Sequence, residues 1–170
     1  TPAVHTDNHG TACAGLVAAR GFNGIGVTGV APEAKIMGIR LISEPVEDDA
    51  EGEAFAWQPA GQTTHVSSNS WGPADDGAAG GRAGALVLAG MQKGATQNRN
   101  GLGTVYSISA GNGRAAGDNS SYDAYSGSRF AIAVGAVNRD HEPSSFSEEG
   151  VNVAISAYGG EFKPPAALWT

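Results

Sequence analysis

The stretch "GGRAGALVLAGMQKGATQNRNGLGTVYSISAGNG" (residues 80–113) carries the pattern that decides the fold. Residues 80–97 are apolar on one face at helical spacing, which predicts a helix. Residues 103–110 form a short apolar run, typical of a buried strand, and the Gly-Asn-Gly triplet at 111–113 is typical of a turn. A helix that leads into a buried strand is a repeating unit of α/β proteins.

The same pattern extends in both directions along the chain. The sequence predicts helices over 9–20 and 44–57, the second because acidic residues favour a helix N-terminus. Buried strands are expected over 35–42, 129–138 and 151–159, and a further strand over 64–71 that runs into a turn. Strands that alternate with helices predict a parallel sheet, and functional groups in such sheets collect on the loops after the strands. The loops "SWGPADDG" (70–77) and "SAGNGRAAGD" (109–118) follow two of these strands.

Composition narrows the class of protein. The chain has 170 residues, of which 41% are hydrophobic, and a net charge of −7, so we expect one globular domain with an acidic surface. That charge disfavours nucleic acids and anionic membranes and suits a cationic substrate. The single cysteine, Cys13, excludes an internal disulfide. We find no apolar run long enough for a membrane helix and no signal peptide, and the first residue, Thr1, suggests a processed piece or a fragment.

Two motifs near the start are ambiguous by themselves. In "DNHGTACAGLVAAR" (7–20), His9 opens a run of small residues that predicts a buried, closely packed helix. Such a histidine is either a core residue with a satisfied hydrogen bond or a catalytic base. The segment "GIGVTG" (24–29) matches a dinucleotide-binding pattern, but a helix precedes it and a strand is expected to follow. Phosphate binding needs the opposite order, so a Rossmann-like cofactor enzyme is disfavoured.

Four motifs together resemble one protein family. The segments "HGTACAGLVAA", "GVAPEAKIMGIRLI", "SNSWGPADDG" and "SAGNG" resemble the subtilisin-like serine proteases, and "SWGPxDDG" points to their kexin/furin branch. The resemblance implies an α/β, subtilisin-like three-layer fold with a mostly parallel central sheet flanked by helices, and a Ser-His-Asp triad. Residues 1–170 would then be part of a catalytic domain, inert alone, with the family's aspartate before Thr1 and its Gly-Thr-Ser segment after Thr170.

The resemblance assigns two catalytic residues. His9 corresponds to the triad base, which activates a serine nucleophile. Asn112 corresponds to the oxyanion-hole asparagine, whose amide stabilises the negative oxygen of the transition state. The structural alternative for Asn112 is a residue that tolerates a left-handed turn between two glycines. Cys13 is interpreted as a packing residue.

Calcium is the cofactor that the resemblance implies. Asp75, Asp118 and Glu148 correspond to the carboxylates of one calcium site, and hard cations prefer such oxygen ligands. The alternatives are a plain turn at 75–77 and a solvated loop around Glu148. A second site would use the loop after the first helix. Its ligands would be the side chain of Asn23 and the backbone carbonyls of Arg20, Ile25 and Val27.

The resemblance also implies a substrate class. Asp75 and Asp123 would line the primary pocket, and Asp48 and Glu51 the outer subsites, so the expected activity is calcium-dependent serine endopeptidase cleavage after Arg or Lys. The alternatives are an Asp123 that caps a turn and, for the whole protein, a catalytically inactive, calcium-stabilised binding module. The family further implies a polypeptide substrate, a secreted or cell-surface location, and a propeptide or downstream β-sandwich domain elsewhere. The absence of the animal enzymes' cysteines after Asn112 suggests a bacterial member.

Overall fold

A computed structural model describes residues 8–42, 45–78 and 81–162. The described residues divide between two compact units, with residues 8–42 in the first and residues 45–78 and 81–162 in the second. Each unit has its own internal packing. Among the described residues, no helix has the length and apolar character needed to cross a membrane.

The first unit is built on helix α1 (His9–Ala18) and the loop that returns along it. The loop is held by backbone hydrogen bonds, including Gly29 N–H to the carbonyl of Ala19 at 2.9 Å. A Cβ atom on Gly29 would lie only 2.5 Å from the backbone nitrogen of Ala18, so glycine permits this close approach. The predicted helix is confirmed, but its predicted burial is wrong. None of its residues is buried.

The strand predicted over 35–42 is wrong. These residues are irregular, and none of them belongs to the four-stranded sheet of the described residues. Ile36, Ile39 and Ile42 are accordingly 53%, 47% and 56% exposed. Apolar residues favour a strand only where a neighbouring strand and a packed face exist, so propensity alone could not decide this segment.

The second unit contains a parallel four-stranded sheet in the order β1-β2-β3-β4. Its strands are β1 (Val66–Asn69), β2 (Val105–Ser109), β3 (Ala131–Val137) and β4 (Val153–Tyr158). All four strands and their parallel pairing were predicted and are confirmed, but the predicted burial of β4 is wrong, since none of its residues is buried. Since the strands are parallel, the loops after β1 and β2 leave the sheet at the same edge.

Helices α2 (Asp48–Ala56) and α3 (Ala85–Gln97) pack against each other through glycines. A Cβ atom on Gly90 would lie 2.1 Å from the carbonyl oxygen of Gly52, so the two backbones touch. Helix α3 begins at Ala85 and not at the predicted residue 80. Residues 81–84 are non-helical, and two of them are glycines, which favour helices poorly. The buried core beside this pair consists of Phe55, Val87, Met91, Tyr106 and Ile108.

Candidate active site and cation site

His9 is the first residue of α1, and its side chain is exposed. The Cys13 sulfur lies 4.0 Å from each of its ring nitrogens, as expected for residues one helical turn apart. Cys13 itself is a half-buried free thiol. The exposure of the ring does not fit the alternative of a core histidine, and it leaves the imidazole accessible for chemistry.

Asn112 lies in a tight turn after strand β2, and neighbouring carboxylates hold its backbone. Its N–H donates a 3.0 Å hydrogen bond to Asp75 Oδ1, and the N–H of Gly113 donates one of 3.0 Å to Glu148 Oε1. The left-handed residue of the turn is Gly111, with φ of 106°, so the left-handed alternative for Asn112 is wrong. The Asn112 side chain is exposed and makes no hydrogen bond within the described residues, so its amide is free to donate to a ligand.

Three carboxylates converge beside this turn. One oxygen each of Asp75, Asp118 and Glu148 lies within 4.8 Å of the others. Two glycines make this convergence possible. A Cβ atom on Gly111 would lie 2.1 Å from Glu148 Oε1, and one on Gly113 would lie 2.2 Å from Asp118 Oδ2. We call these three acidic residues the acid cluster.

The electrostatics of the acid cluster favour a bound cation. Asp118 Oδ2 is buried and has no hydrogen-bond partner among the described residues, which is costly for a charged oxygen. Burial raises the pKa of Glu148 above its usual range, the charges of Asp118 and Asp75 raise it further, and only the Gly113 N–H opposes them. The carboxylate oxygens converge, and one of them has no hydrogen-bond donor. Such a group fits the ligand set of a hard cation such as Ca²⁺.

The structural alternatives for these acids fit less well. In the turn at 75–77 it is Asp76, not Asp75, whose Oδ1 accepts a local hydrogen bond, at 2.9 Å from the N–H of Ala78. Glu148 is half-buried and is not a residue of a solvated loop. The carboxylates of Asp75 and Glu148 instead lie beside Asp118 and accept hydrogen bonds from the Asn112 turn.

The residues predicted for a second calcium site lie in the loop after α1. Asn23 Oδ1 accepts a 3.0 Å hydrogen bond from the N–H of Ile25, and Gly24 and Gly26 adopt positive φ angles of 75° and 64°. Arg20 and Val27 belong to the same loop. The acid cluster is the single group of three or more His, Cys, Asp or Glu ligands that the described residues bring together, so this second site stays a prediction.

Asp123 is half-buried, and its carboxylate is largely saturated with hydrogen bonds. Oδ1 accepts from the N–H of Tyr125 at 2.9 Å, and Oδ2 accepts from the N–H and hydroxyl of Ser126 at 3.3 and 3.0 Å. It therefore caps its own turn, as the structural alternative expected. A Cβ atom on Gly72 would nevertheless lie 4.0 Å from Oδ2, so this carboxylate also faces the loop that carries Asp75.

The two acids of α2 also have partners within the protein. The Asp48 carboxylate accepts hydrogen bonds from the N–H groups of Leu86 and Val87, at 3.0 and 3.1 Å, and so caps α3. The Glu51 carboxylate accepts the phenol hydrogen of Tyr125, and burial raises the pKa of Glu51. The cap was missed from the sequence, since the capping residue is 38 positions from the helix that it caps.

A buried polar group was also missed. Ser120 and Ser126 are 0% and 1% exposed, and their hydroxyl oxygens are 3.0 Å apart. Asn152 donates to Ser120 from the loop before β4. Serines in "DNSSYDAYSGS" look like ordinary loop residues in sequence, so no local signal distinguishes the buried ones.

Comparison with known proteins places this geometry in a family. A model described as the subtilase family matches residues 2–169. The chain is 40% identical over 157 residues to the dibasic-processing endoprotease of Schizosaccharomyces pombe, covering 92% of this chain and 22% of that protein. It is 36% identical over 164 residues to kexin of Saccharomyces cerevisiae, covering 95% and 20%. It is 36% identical over 152 residues to the human protein named proprotein convertase subtilisin/kexin type 4, covering 89% and 20%.

Solved structures of bacterial proteases share the fold. A protease from Pseudoalteromonas arctica aligns with a TM-score of 0.75 at 26% identity, covering 91% of this chain and 44% of that one. The serine protease of Aeromonas sobria aligns with a TM-score of 0.73 at 26% identity, covering 90% and 29%. The expectation of a bacterial member is not supported, because the curated relatives at 36–40% identity are fungal and mammalian.

The comparisons agree with the sequence motifs and with the parallel sheet. The predicted α/β, subtilisin-like fold is confirmed. The chain spans about a fifth of the length of the curated relatives that it matches, 20–22% of each. The match over residues 2–169 and the identity to kexin-type proteins show that the chain belongs to the subtilase family.

Proposed function

We propose that this chain is part of the catalytic domain of a calcium-dependent serine endopeptidase that cleaves polypeptides after Arg or Lys. The acid cluster carries the proposal, because it anchors the Asn112 turn and has the ligand set of a calcium site. The relatives named dibasic-processing endoprotease and kexin support the enzyme class. A secreted or cell-surface location and a propeptide or β-sandwich domain elsewhere in the protein belong to the same proposal.

Two residues would do the chemistry. The exposed imidazole of His9 would accept the proton of a serine nucleophile that lies outside these residues and return it to the leaving amine. The Asn112 amide would donate a hydrogen bond to the oxyanion of the tetrahedral intermediate. Because Asp75 and Glu148 accept hydrogen bonds from the backbone N–H groups at 112 and 113, the turn that carries the amide is held before substrate arrives.

Calcium would be held by Asp75, Asp118 and Glu148. When bound, the ion supplies positive charge that compensates the three carboxylates. The unpaired Asp118 Oδ2 would gain a partner, and Glu148 would be held ionised against the burial that raises its pKa. The cluster would then anchor the Asn112 turn without mutual repulsion.

Specificity would come from acidic groups near the reacting bond. Asp123, with Asp75, would face the guanidinium or ammonium of the residue before the cleaved bond. Three of about four acceptor positions on Asp123 are occupied by its own turn, so one acceptor on Oδ1 remains for the substrate. Asp48 and Glu51 already have hydrogen-bond partners, and they would act on outer basic residues through their charge.

The catalytic assignment is tested in the full-length protein by steady-state kinetics. His9→Ala should abolish turnover, and Asn112→Ala should lower kcat by about 10²–10³, the usual effect of one lost oxyanion donor. His65→Ala is the matched control, since that histidine is exposed and its side chain makes no hydrogen bond among the described residues. Wild-type kcat in His9→Ala would overturn the assignment. A wild-type protein that folds with calcium but hydrolyses nothing would instead indicate the binding module.

The specificity assignment is tested on matched peptides that carry Arg or Leu before the cleaved bond. The wild-type kcat/KM should favour Arg by several orders of magnitude, and Asp123→Ala should remove most of that ratio. Asp140→Ala is the control, because Asp140 is an exposed acid whose one ion pair among the described residues is with Arg139. An undiminished Arg preference in Asp123→Ala would refute the pocket assignment and leave the protease assignment standing.

A further inference from the structure

The Asp123 carboxylate is the end of a chain of buried hydrogen bonds. Ser126 Oγ lies 3.0 Å from Asp123 Oδ2, and Ser120 Oγ lies 3.0 Å from Ser126 Oγ. Asn152 Nδ2 lies 3.0 Å from Ser120 Oγ. Both hydroxyls are almost fully shielded from solvent, at 0% and 1% exposure, so water cannot replace a lost partner easily. We call Ser126, Ser120 and Asn152 the hydroxyl chain.

The hydroxyl chain has only one direction when Asp123 is ionised. A carboxylate accepts only, so Ser126 must donate its single hydrogen to Asp123. The competing acceptor, the carbonyl oxygen of Ser120 at 3.0 Å from Ser126 Oγ, already accepts from Asn152 Nδ2 at 3.1 Å and is the weaker acceptor because it is uncharged. Ser120 must then donate to Ser126 Oγ, and Asn152 must donate to Ser120 Oγ.

At the Asn152 end of the hydroxyl chain, the hydrogen bonds have the same donor-to-acceptor direction. Asn152 Oδ1 accepts from the Ser121 hydroxyl at 3.2 Å, and Ser121 Oγ accepts from the backbone N–H of Val151 at 3.0 Å. Every link therefore points a donor toward Asp123, and oriented donors of this kind strengthen one another. The chain connects the loop before β4 to the carboxylate that faces Gly72.

We infer that Ser126, Ser120 and Asn152 are positioning residues that fix the Asp123 carboxylate for binding the basic side chain of the substrate. This inference rests on the proposed function, because it requires Asp123 in the primary pocket. The backbone N–H of Ser126 reaches Oδ2 only at 3.3 Å, so its hydroxyl is the shorter of the two bonds to that oxygen. Without the hydroxyl, Oδ2 keeps only the longer bond, and two backbone N–H groups alone hold the carboxylate, so the free acceptor on Oδ1 is less rigidly oriented.

The experiment measures selectivity in the full-length enzyme. Ser126→Ala should lower kcat/KM for the Arg peptide about tenfold, mainly through KM, because a hydrogen bond to a charged group is lost. The value for the matched Leu peptide should not change. Binding of benzamidine, an amidinium probe for such a pocket, should weaken by a similar factor in calorimetry. Ser126→Thr retains a hydroxyl and should restore most of both quantities.

A second buried serine supplies the control. Ser144 is 0% exposed and donates a 2.7 Å hydrogen bond to the carbonyl of Gly160, outside the hydroxyl chain. Ser144→Ala should lower stability with no change in the Arg-to-Leu ratio. If Ser126→Ala does not fold, Asn152→Ala tests the same chain from its other end and should lower the ratio in the same direction.

The outcomes separate this inference from the proposed function. A wild-type enzyme that prefers Arg, with Ser126→Ala or Asn152→Ala keeping the full preference and benzamidine affinity, overturns the positioning role alone. A wild-type enzyme with no Arg preference overturns both. Equal losses of the ratio in Ser144→Ala and Ser126→Ala would assign the effect to general destabilisation and would also overturn the positioning role.

Discussion

Replacing Asp118 by asparagine should change the stability of the protein in opposite directions with and without calcium. Each pair of charges in the acid cluster is separated by at most 4.8 Å. At that distance two like charges repel by about 1 kcal/mol in water and about 3.5 kcal/mol at an effective dielectric constant of 20. Asp118→Asn removes two of the three repulsive pairs. Because Asp75 is exposed and its charge is screened, we expect the calcium-free variant to gain about 1–2 kcal/mol.

Calcium should reverse this order. A ligand present at 100 times its Kd stabilises the native state by about 2.7 kcal/mol, which corresponds to roughly 5–10 °C in Tm for a domain of this size. Asp118→Asn removes one anionic ligand and the buried oxygen that has no other partner. If its Kd rises about 100-fold, the same calcium concentration contributes only about 0.4 kcal/mol. The variant should therefore melt above the wild type in chelator and below it in calcium.

The assay is thermal unfolding of the full-length protein in EGTA and in a series of calcium concentrations. Asp76→Asn is the control, since Asp76 is the neighbouring acid, caps a local turn and does not belong to the acid cluster. It should keep the wild-type response to calcium. A wild-type calcium shift in Asp118→Asn, or a lower Tm than the wild type in EGTA, would refute the reasoning.

Two further predictions concern the acids of helix α2. Burial raises the pKa of Glu51 above its usual 4.5, so its contribution to stability is present below that pH and is lost as the pH rises through the raised pKa. The free energy of unfolding, measured in urea, should therefore fall less for Glu51→Gln than for the wild type between pH 4 and neutrality. Equal pH dependence of that free energy in the two proteins would contradict this. Asp48→Ala should destabilise the protein by about 1–2 kcal/mol by uncapping Leu86 and Val87, while the exposed neighbour in Asp49→Ala should cost less. Equal denaturation midpoints in the two variants would exclude the cap.

The sheet was predictable from the sequence because its strands are local signals. Short runs between turn signals predict the four strands, and their alternation with helices predicts parallel pairing. Buried residues lie on β2 and β3, whereas β1 and β4 have none. Residues 35–42 have the same pattern and are irregular, since a strand also needs a partner that no local pattern reveals. The start of α3 was misplaced because its N-terminus depends on Asp48, a residue from another helix.

The candidate site was predictable only where a motif marks it. The resemblance brought Asp75, Asp118 and Glu148 to one place from three separate loops, which spacing alone could not do, and the structure brings them together. The buried Ser120 and Ser126 were not predictable. These two serines matter because they are buried in the folded protein. The residues next to a serine in sequence do not indicate whether it is buried.

The hydrogen bonds that hold the Asn112 turn should also affect the rate at which Asn112 deamidates. An asparagine that precedes glycine is the sequence most prone to deamidation, in which the following backbone nitrogen attacks the side-chain amide and closes a succinimide ring. Here that nitrogen, on Gly113, is committed to Glu148, and the nitrogen of Asn112 is committed to Asp75. Closure of the ring requires the backbone to rotate out of both hydrogen bonds. The carboxylates beside the turn should therefore slow deamidation of the amide that the proposed oxyanion role requires, and storage without calcium should shorten the lifetime of that amide.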